Sequence, residues 1–392
     1  MFTYSEEKLD TLGARITTEE IKQQPKLWQE ALDIYEGKKQ EIKDFLAKVT
    51  ADSQGKRVRV IFTGAGTSQY VGDTVTPHLN QTGDTSQFVF ESYATTDIVA
   101  HPQSYLFPDE TTILVSFARS GNSPESLAAK EIANKYVNNI YHLLITCAPE
   151  GKLATESEGK ENEFLLSMPE KSNDAGFAMT GSFTCMTLSA MLVFDTTADS
   201  EKAEYVKAAA TLGEEVVSRE EDIQKWVDLD YDRVVYLGSG ALSGLAREAQ
   251  LKLLELTAGQ VATVFDSSMG FRHGPKSFIN EKTIVFDFVA NDTYTSQYDY
   301  DILTEVATDD IAQATVGIEQ QSQDSGKEFE GSRFTFSSDA ILLPAGYLAL
   351  PYIMVAQTFA LLTSVKVDNT PDTPSATGTV NRVVKGVTIH EF

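Results

Sequence analysis

Apolar residues in this chain come in short blocks separated by longer stretches with helical spacing. Residues 57–62 (RVRVIF) form one such block and predict a strand. A tight turn follows, Gly64-Ala65-Gly66-Thr67-Ser68. Further strands are expected at 87–90, 112–117 and 141–146, with helical stretches between them, including 123–136. Strands alternating with helices imply an α/β fold with a parallel sheet covered on both faces. The pattern then recurs: a strand at 232–237, the turn Gly238-Ser239-Gly240-Ala241-Leu242-Ser243, and a helical run to residue 256. RVVYLGSGALS repeats the device of VRVIFTGAGTS, which indicates internal duplication and two related domains. Later strands are expected at 283–288 and 333–336, and a helix over 345–362. The first fifty residues read as a helical arm, with one start at Thr17-Thr18-Glu19-Glu20 and a second run opened by Pro25. The expected organisation is an arm over 1–50, a first domain over 51–215, a second over 216–365 and a tail over 366–392.

Length and charge narrow the function. At 392 residues the chain suits two domains, and 42% hydrophobic with 23% charged residues is ordinary for a globular protein. There are 32 basic against 57 acidic residues, a net charge of −25, so nucleic acid is not an expected partner. A small anionic ligand would need a local cluster of donors. Cys147 and Cys185, the only cysteines, lie in apolar or small-residue runs, without zinc or paired-thiol spacing. Neither an apolar run of membrane-spanning length nor a basic-then-apolar leader stands out, so the expected location is the cytoplasm. No His/acidic cluster has metal-ligand spacing, and no cofactor is expected.

Two loops carry candidate chemistry. Gly66, Thr67 and Ser68 close a strand and open a helix, where backbone N–H groups attract anions. A dinucleotide fingerprint would need a third glycine, but Gln69 stands there, and Ser243 in the second half. The turn fits a phosphate ester, or a tight βα turn with no ligand. The second loop, Ser116 to Ser126, also joins an apolar strand to a helix. Ser123 before Pro124 is a natural N-cap, which ordinary capping explains. Arg119 and Ser120 beside Gly121, at a strand's C-terminal end, exceed what capping needs and favour phosphate binding.

Together these motifs resemble the sugar isomerase (SIS) family. The likeness extends to Glu20-Ile21-x-x-Gln24-Pro25, to the run 248–256 (EAQLKLLEL), to Arg272-His273-Gly274-Pro275 and to Val384-Lys385-Gly386-Val387-Thr388. These are similar to the isomerase half of glucosamine-6-phosphate synthase, and by overall look to the aminogalactose-catabolism branch. The resemblance implies two tandem SIS domains, each a three-layer αβα sandwich of flavodoxin-like order. No glutaminase segment or N-terminal cysteine nucleophile precedes them, so release of ammonia is expected rather than its use.

The implied reaction converts galactosamine 6-phosphate to tagatose 6-phosphate and ammonia. Plain aldose–ketose isomerisation, and a non-catalytic sugar-phosphate sensor, stay open. By resemblance Glu255 is the base moving a proton between C1 and C2, although Glu248, Lys252 and Glu255 also read as a solvated ion-paired face. His273 is implied in ring opening, shared across a homodimer or higher oligomer. Lys385 is implied to stabilise negative charge or form a Schiff base, and otherwise is a solvated tail lysine. Thr180, in the segment TGSFT, resembles a third ligand-lining position, and would look the same as a helix N-cap.

Overall fold

The computed structural model describes residues 1–320, 329–337, 339–382, 384 and 386–392. The chain divides into two compact units, each discontinuous in sequence. The first-sheet unit comprises Lys26–Asp174, Met179–Ala203 and Val380–Phe392. The second-sheet unit comprises Met1–Pro25, Ala175–Ala178 and Glu204–Thr379.

Helix α1 (Glu6–Thr11) is followed by α2 (Arg15–Asp52), a single helix of 38 residues. The two separate runs expected on either side of Pro25 are therefore one. Proline lacks the N–H that would pair with the carbonyl four residues back. Gln24 Nε2 donates to that carbonyl, Ile21 O, at 3.2 Å, so the ladder loses a bond without leaving an unpaired group.

In chain order the first sheet is built from β1 (Val58–Gly64), α3 (Thr67–Thr82), β2 (Phe88–Ala94), α4 (Thr95–Ala100), β3 (Thr112–Ala118), α5 (Pro124–Tyr136), β4 (Ile140–Thr146), α6 (Lys152–Thr155), β5 (Glu163–Ser167) and α7 (Gly181–Phe194). All strands are parallel, in the order β2-β1-β3-β4-β5. β1 and β3 are buried along their whole length, as strands covered on both faces must be. Phe62 stacks between Phe90 and Phe117, with centroids at 6.2 and 5.8 Å, and Phe194 of α7 meets it edge-on. On another side Ile61 and Leu114 pack with Ile98 of α4 and Ile132 of α5.

Two helices lead on, α8 (Asp199–Ser218) and α9 (Glu220–Val227). The second sheet follows with β6 (Arg233–Gly238), α10 (Ala241–Leu256), β7 (Ala262–Ser267), β8 (Thr283–Phe288), α11 (Thr295–Asp309), β9 (Ala314–Gln320), β10 (Ser332–Phe336) and α12 (Ala345–Lys366). Its order, β10-β9-β8-β6-β7, is the first sheet's order again, counted from its own first strand. Both sheets therefore share the flavodoxin-like 2-1-3-4-5 arrangement, which has its switch point between the first and third strands. α12 is apolar and long enough to span a membrane, but it is buried in this unit's core against α9 and α10.

One buried group makes the first-sheet unit sensitive to acid. His142 on β4 is wholly buried, and its Nε2 pairs with Asn134 Oδ1 at 2.9 Å. Burial, then the nearby charges of Lys130 and Lys160, push its pKa down to about 3. A histidine whose folded pKa is lowered costs stability as pH falls below its ordinary value, because only the unfolded chain takes up the proton. From about pH 6.5 the loss is about 1.4 kcal/mol per pH unit, or about 2 kcal/mol at pH 5. Denaturant unfolding of wild type and His142→Gln at pH 7.5 and pH 5 checks this. The wild type is expected to lose ground to the variant by about that amount, and a constant gap rules the account out.

Candidate functional site

At the switch point of the first sheet, the turn after β1 faces the loop after β3. Both are shaped by glycines that no other residue replaces. A Cβ on Gly64 would lie 2.5 Å from Ser68 backbone, and Gly66, before α3, has φ +57°. Gly121 has φ +64°, which lets the β3–α5 loop double back. Between the loops is a cavity of about 110 Å³. Ser68, Arg119, Ser120 and Ser123 line it, so four of the expected binding residues converge there. Gly66 and Thr67 shape the turn without lining the cavity, and Thr67 is 3% exposed.

Ser123 precedes α5, but its hydroxyl pairs with Ser126 Oγ at 2.7 Å rather than capping a backbone N–H. Arg119 donates from its guanidinium to the carbonyl of Arg382 at 2.7 Å. Arg382 in turn donates from Nε to Asp174 O at 3.0 Å and from its terminal nitrogen to Asn173 Oδ1 at 3.3 Å. The tail thus brings a second arginine, Arg382, to the cavity wall. In a chain of net charge −25, this is the local cluster of donors that an anion needs. The sequence reading missed both Arg382 and Glu125, which also line the cavity. The only sequence signal for Arg382 was a cation three residues ahead of Lys385.

Thr180 lies elsewhere. It is 1% exposed, and its hydroxyl donates to Asp174 Oδ1 at 2.8 Å. The N–H groups of Thr180, Gly181 and Ser182 reach the same carboxylate at 2.9, 3.1 and 2.9 Å. The start of α7 is therefore filled by the chain's own anion, and Thr180 is spent on it. Its neighbour Met179 lines the cavity instead.

The second-sheet unit repeats the turn with a different outcome. Gly240 has φ +58°, close to Gly66, and Gly238 is as closely approached by Leu242. Here Asp299 occupies the turn: its Oδ1 accepts from Ser239 and Ser268 at 2.5 and 2.6 Å, and its Oδ2 from Ala290 N at 2.9 Å. Burial raises the Asp299 carboxyl, and burial with the Asp299 charge pushes Asp287 well above the carboxylate range. An internal carboxylate thus stands where the first turn opens on a cavity.

Glu255 and His273 also belong to this unit. Lys252 Nζ on α10 meets Glu255 Oε2 at 2.6 Å and Glu248 Oε1 at 3.4 Å. Lys252 and Glu248 are fully buried and Glu255 is partly exposed, so the stripe is not a solvated face. Gly274, at φ +125°, follows His273 in a loop tied down by Arg272 and Lys276 to Glu305 on α11. The imidazole of His273 is exposed on this unit. Lys385 lies outside the described residues. Among the described residues no three His, Cys, Asp or Glu side chains converge as a metal site.

The family model described as the SIS domain matches residues 55–194, which span the first sheet. Over 385 residues, 96% of each chain, the sequence is 41% identical to D-galactosamine-6-phosphate deaminase AgaS of Escherichia coli. It is 39% identical over 389 residues to the protein of that name in Shewanella sp. (strain ANA-3), covering 99% of this chain and 95% of that one. The solved structure of tagatose-6-phosphate ketose/aldose isomerase from Escherichia coli matches with a TM-score of 0.85 at 38% identity, over 96% of both chains.

Proposed function

The chain belongs to the family of SIS-domain D-galactosamine-6-phosphate deaminases, and from that premise we propose that it converts galactosamine 6-phosphate and water to tagatose 6-phosphate and ammonia. The observation that carries this reading is the cavity at the first switch point, which Arg119, Arg382, Ser68, Ser120 and Ser123 line together. That donor set suits a phosphate, and anchoring the phosphate positions the sugar for reaction.

The chemistry assigns the remaining groups. Ring opening moves a proton from the anomeric hydroxyl to the ring oxygen, the role given to His273. Glu255 then takes the proton from C2 while O1 gains one, forming the enolamine. Return of the proton to C1 yields a ketimine, and water adds to C2 and expels ammonia. Lys385 stabilises the developing negative charge or forms a Schiff base with the open-chain carbonyl. His273 serves a neighbouring copy in a homodimer, a reading its exposure supports. A cytoplasmic location belongs to the same proposal, supported by two buried free thiols, Cys147 and Cys185.

Purified protein is expected to release ammonia from galactosamine 6-phosphate. Glucosamine 6-phosphate and tagatose 6-phosphate are the controls. Silence on both amino sugars overturns the deaminase reading. Conversion of tagatose 6-phosphate to an aldose would then leave a plain isomerase, and silence on all three a sensor.

A further inference from the structure

Beneath the loop that carries His273, two carboxyls share one hydroxyl. Asp287, on β8, is fully buried, and its Oδ2 has no hydrogen-bond partner among the described residues. Its Oδ1 lies 3.3 Å from Ser268 Oγ. Ser268 has a single hydroxyl hydrogen, and Asp299 Oδ1 is closer to it, at 2.6 Å. Ser239 and Ala290 N also donate to Asp299, at 2.5 and 2.9 Å. Asp299 is therefore a carboxylate with three donors, whereas an ionised Asp287 would have none among the described residues. A buried carboxylate without a donor loses its hydration and gains no bond, so the neutral acid is favoured.

We propose that Asp287 keeps its proton at neutral pH and donates it to Ser268 Oγ, and that this proton fastens the start of the loop bearing His273. As an acid Asp287 supplies the hydrogen that its contact with Ser268 lacks, and the chain Asp287–Ser268–Asp299 is complete. Burial, then the charge of Asp299, hold the Asp287 carboxyl well above the usual range. No cation offsets them. On α11 Asp301 is exposed, and Glu305 and Asp309 are taken by Arg272 and Lys276 of the loop. Asp292 adds its negative charge near Asp299. On the flanking strands Arg233 donates to Phe278 O, and Glu319 pairs with Arg333. α10 also packs on β8, but its Lys252 lies between Glu248 and Glu255, and Arg247 lies over Phe265. Loss of the proton would leave two carboxylates on one hydroxyl, which can serve only one. Ser268 begins the loop, and Phe271 anchors it in the core with Leu237, Val285 and Ile302. Opening the loop lets water reach Asp287 and lets it ionise, so opening releases one proton. The closed loop has the raised pKa, so its stability is greatest in acid and falls as pH rises. His273 is the group given ring opening, which makes Asp287 a positioning residue for that step. Only this last link rests on the reaction proposed above.

Two measurements on the full chain test this. Infrared spectra in deuterated buffer at about pH 7.5, where ordinary carboxyls are ionised, read the proton. Hydrogen exchange of the 268–273 amides between about pH 6 and about pH 8, corrected for intrinsic rate, reads its hold on the loop. Wild type is expected to show the C=O stretch of a protonated carboxyl, which Asp287→Asn loses and Asp299→Asn keeps. The amide of Asp287→Asn donates to Ser268 at any pH. Protection of the wild-type loop is therefore expected to fall by about tenfold per pH unit relative to that variant. A wild type without the band overturns the inference and needs no variant. A band kept in Asp287→Asn and lost in Asp299→Asn, or parallel exchange profiles, overturns it as well. Both readouts are taken without sugar, so their failure leaves the deaminase reading standing, and silence on the amino sugars leaves the proton standing.

Discussion

Glu255→Gln is expected to lower ammonia release from galactosamine 6-phosphate by about a hundredfold to ten-thousandfold. The amide keeps the shape of the side chain and one hydrogen-bond acceptor, but it cannot take a proton from C2. In the proposed reaction Lys252 positions Glu255, its fully buried ammonium holding Oε2 at 2.6 Å. Glu255 is partly exposed at the last turn of α10, where a ligand has access to it. Phosphate anchoring depends on other residues, so kcat and kcat/KM should fall together while affinity for a non-reacting hexitol phosphate stays level. Steady-state kinetics with ammonia detection, and exchange of the C2 hydrogen with deuterated solvent, read both effects. Full exchange in Glu255→Gln would hand the proton transfer to another residue.

Arg119→Ala is expected to act on binding instead. A hydrogen bond to a charged group contributes about 1.5–3 kcal/mol, so kcat/KM should drop about ten- to hundredfold, mainly through KM. The loss has two sources. A guanidinium leaves the cavity wall, and the Arg382 carbonyl loses its 2.7 Å donor, which releases that part of the tail from the β3–α5 loop. Arg119→Lys separates them. It restores the charge without the planar fork, so it should recover part of the affinity but not all of it. Equal KM values for wild type and Arg119→Ala would remove Arg119 from the phosphate site.

Much of this architecture was written locally. A strand, a glycine turn and a helix start are each encoded within a few residues, so the repeated device after β1 and β6 was legible, and with it the two αβ units. Ser68, Arg119, Ser120 and Ser123 were legible for the same reason, since they lie on the loops those turns create. Three strands were not. β7 exposes much of both faces, with Phe265 36% exposed, so it lacks the apolar run that marks a covered strand. β5 is only half-buried and carries little contrast between its two faces. β9 ends on Glu319 and Gln320, which look like loop residues. They are buried because Arg333, Tyr300 and Tyr352 supply their partners from elsewhere in the chain.

The site divides along the same line. Whether a turn binds a ligand depends on what else reaches it, and local spelling is silent on that. The two glycine turns have nearly the same backbone, yet one opens on a cavity and the other is filled by Asp299, sixty residues from its partner Ser239. Thr180 reads as a binding residue from its local sequence, and the fold hands its hydroxyl to Asp174. Arg382 meets Arg119 across 263 residues. The sequence by itself determined the elements, their duplication and the residue types suited to a phosphate. The tertiary structure alone decided which polar groups the chain itself satisfies and which line a cavity. Hydrogen-bond satisfaction belongs to partners brought together in space, and no local pattern specifies them.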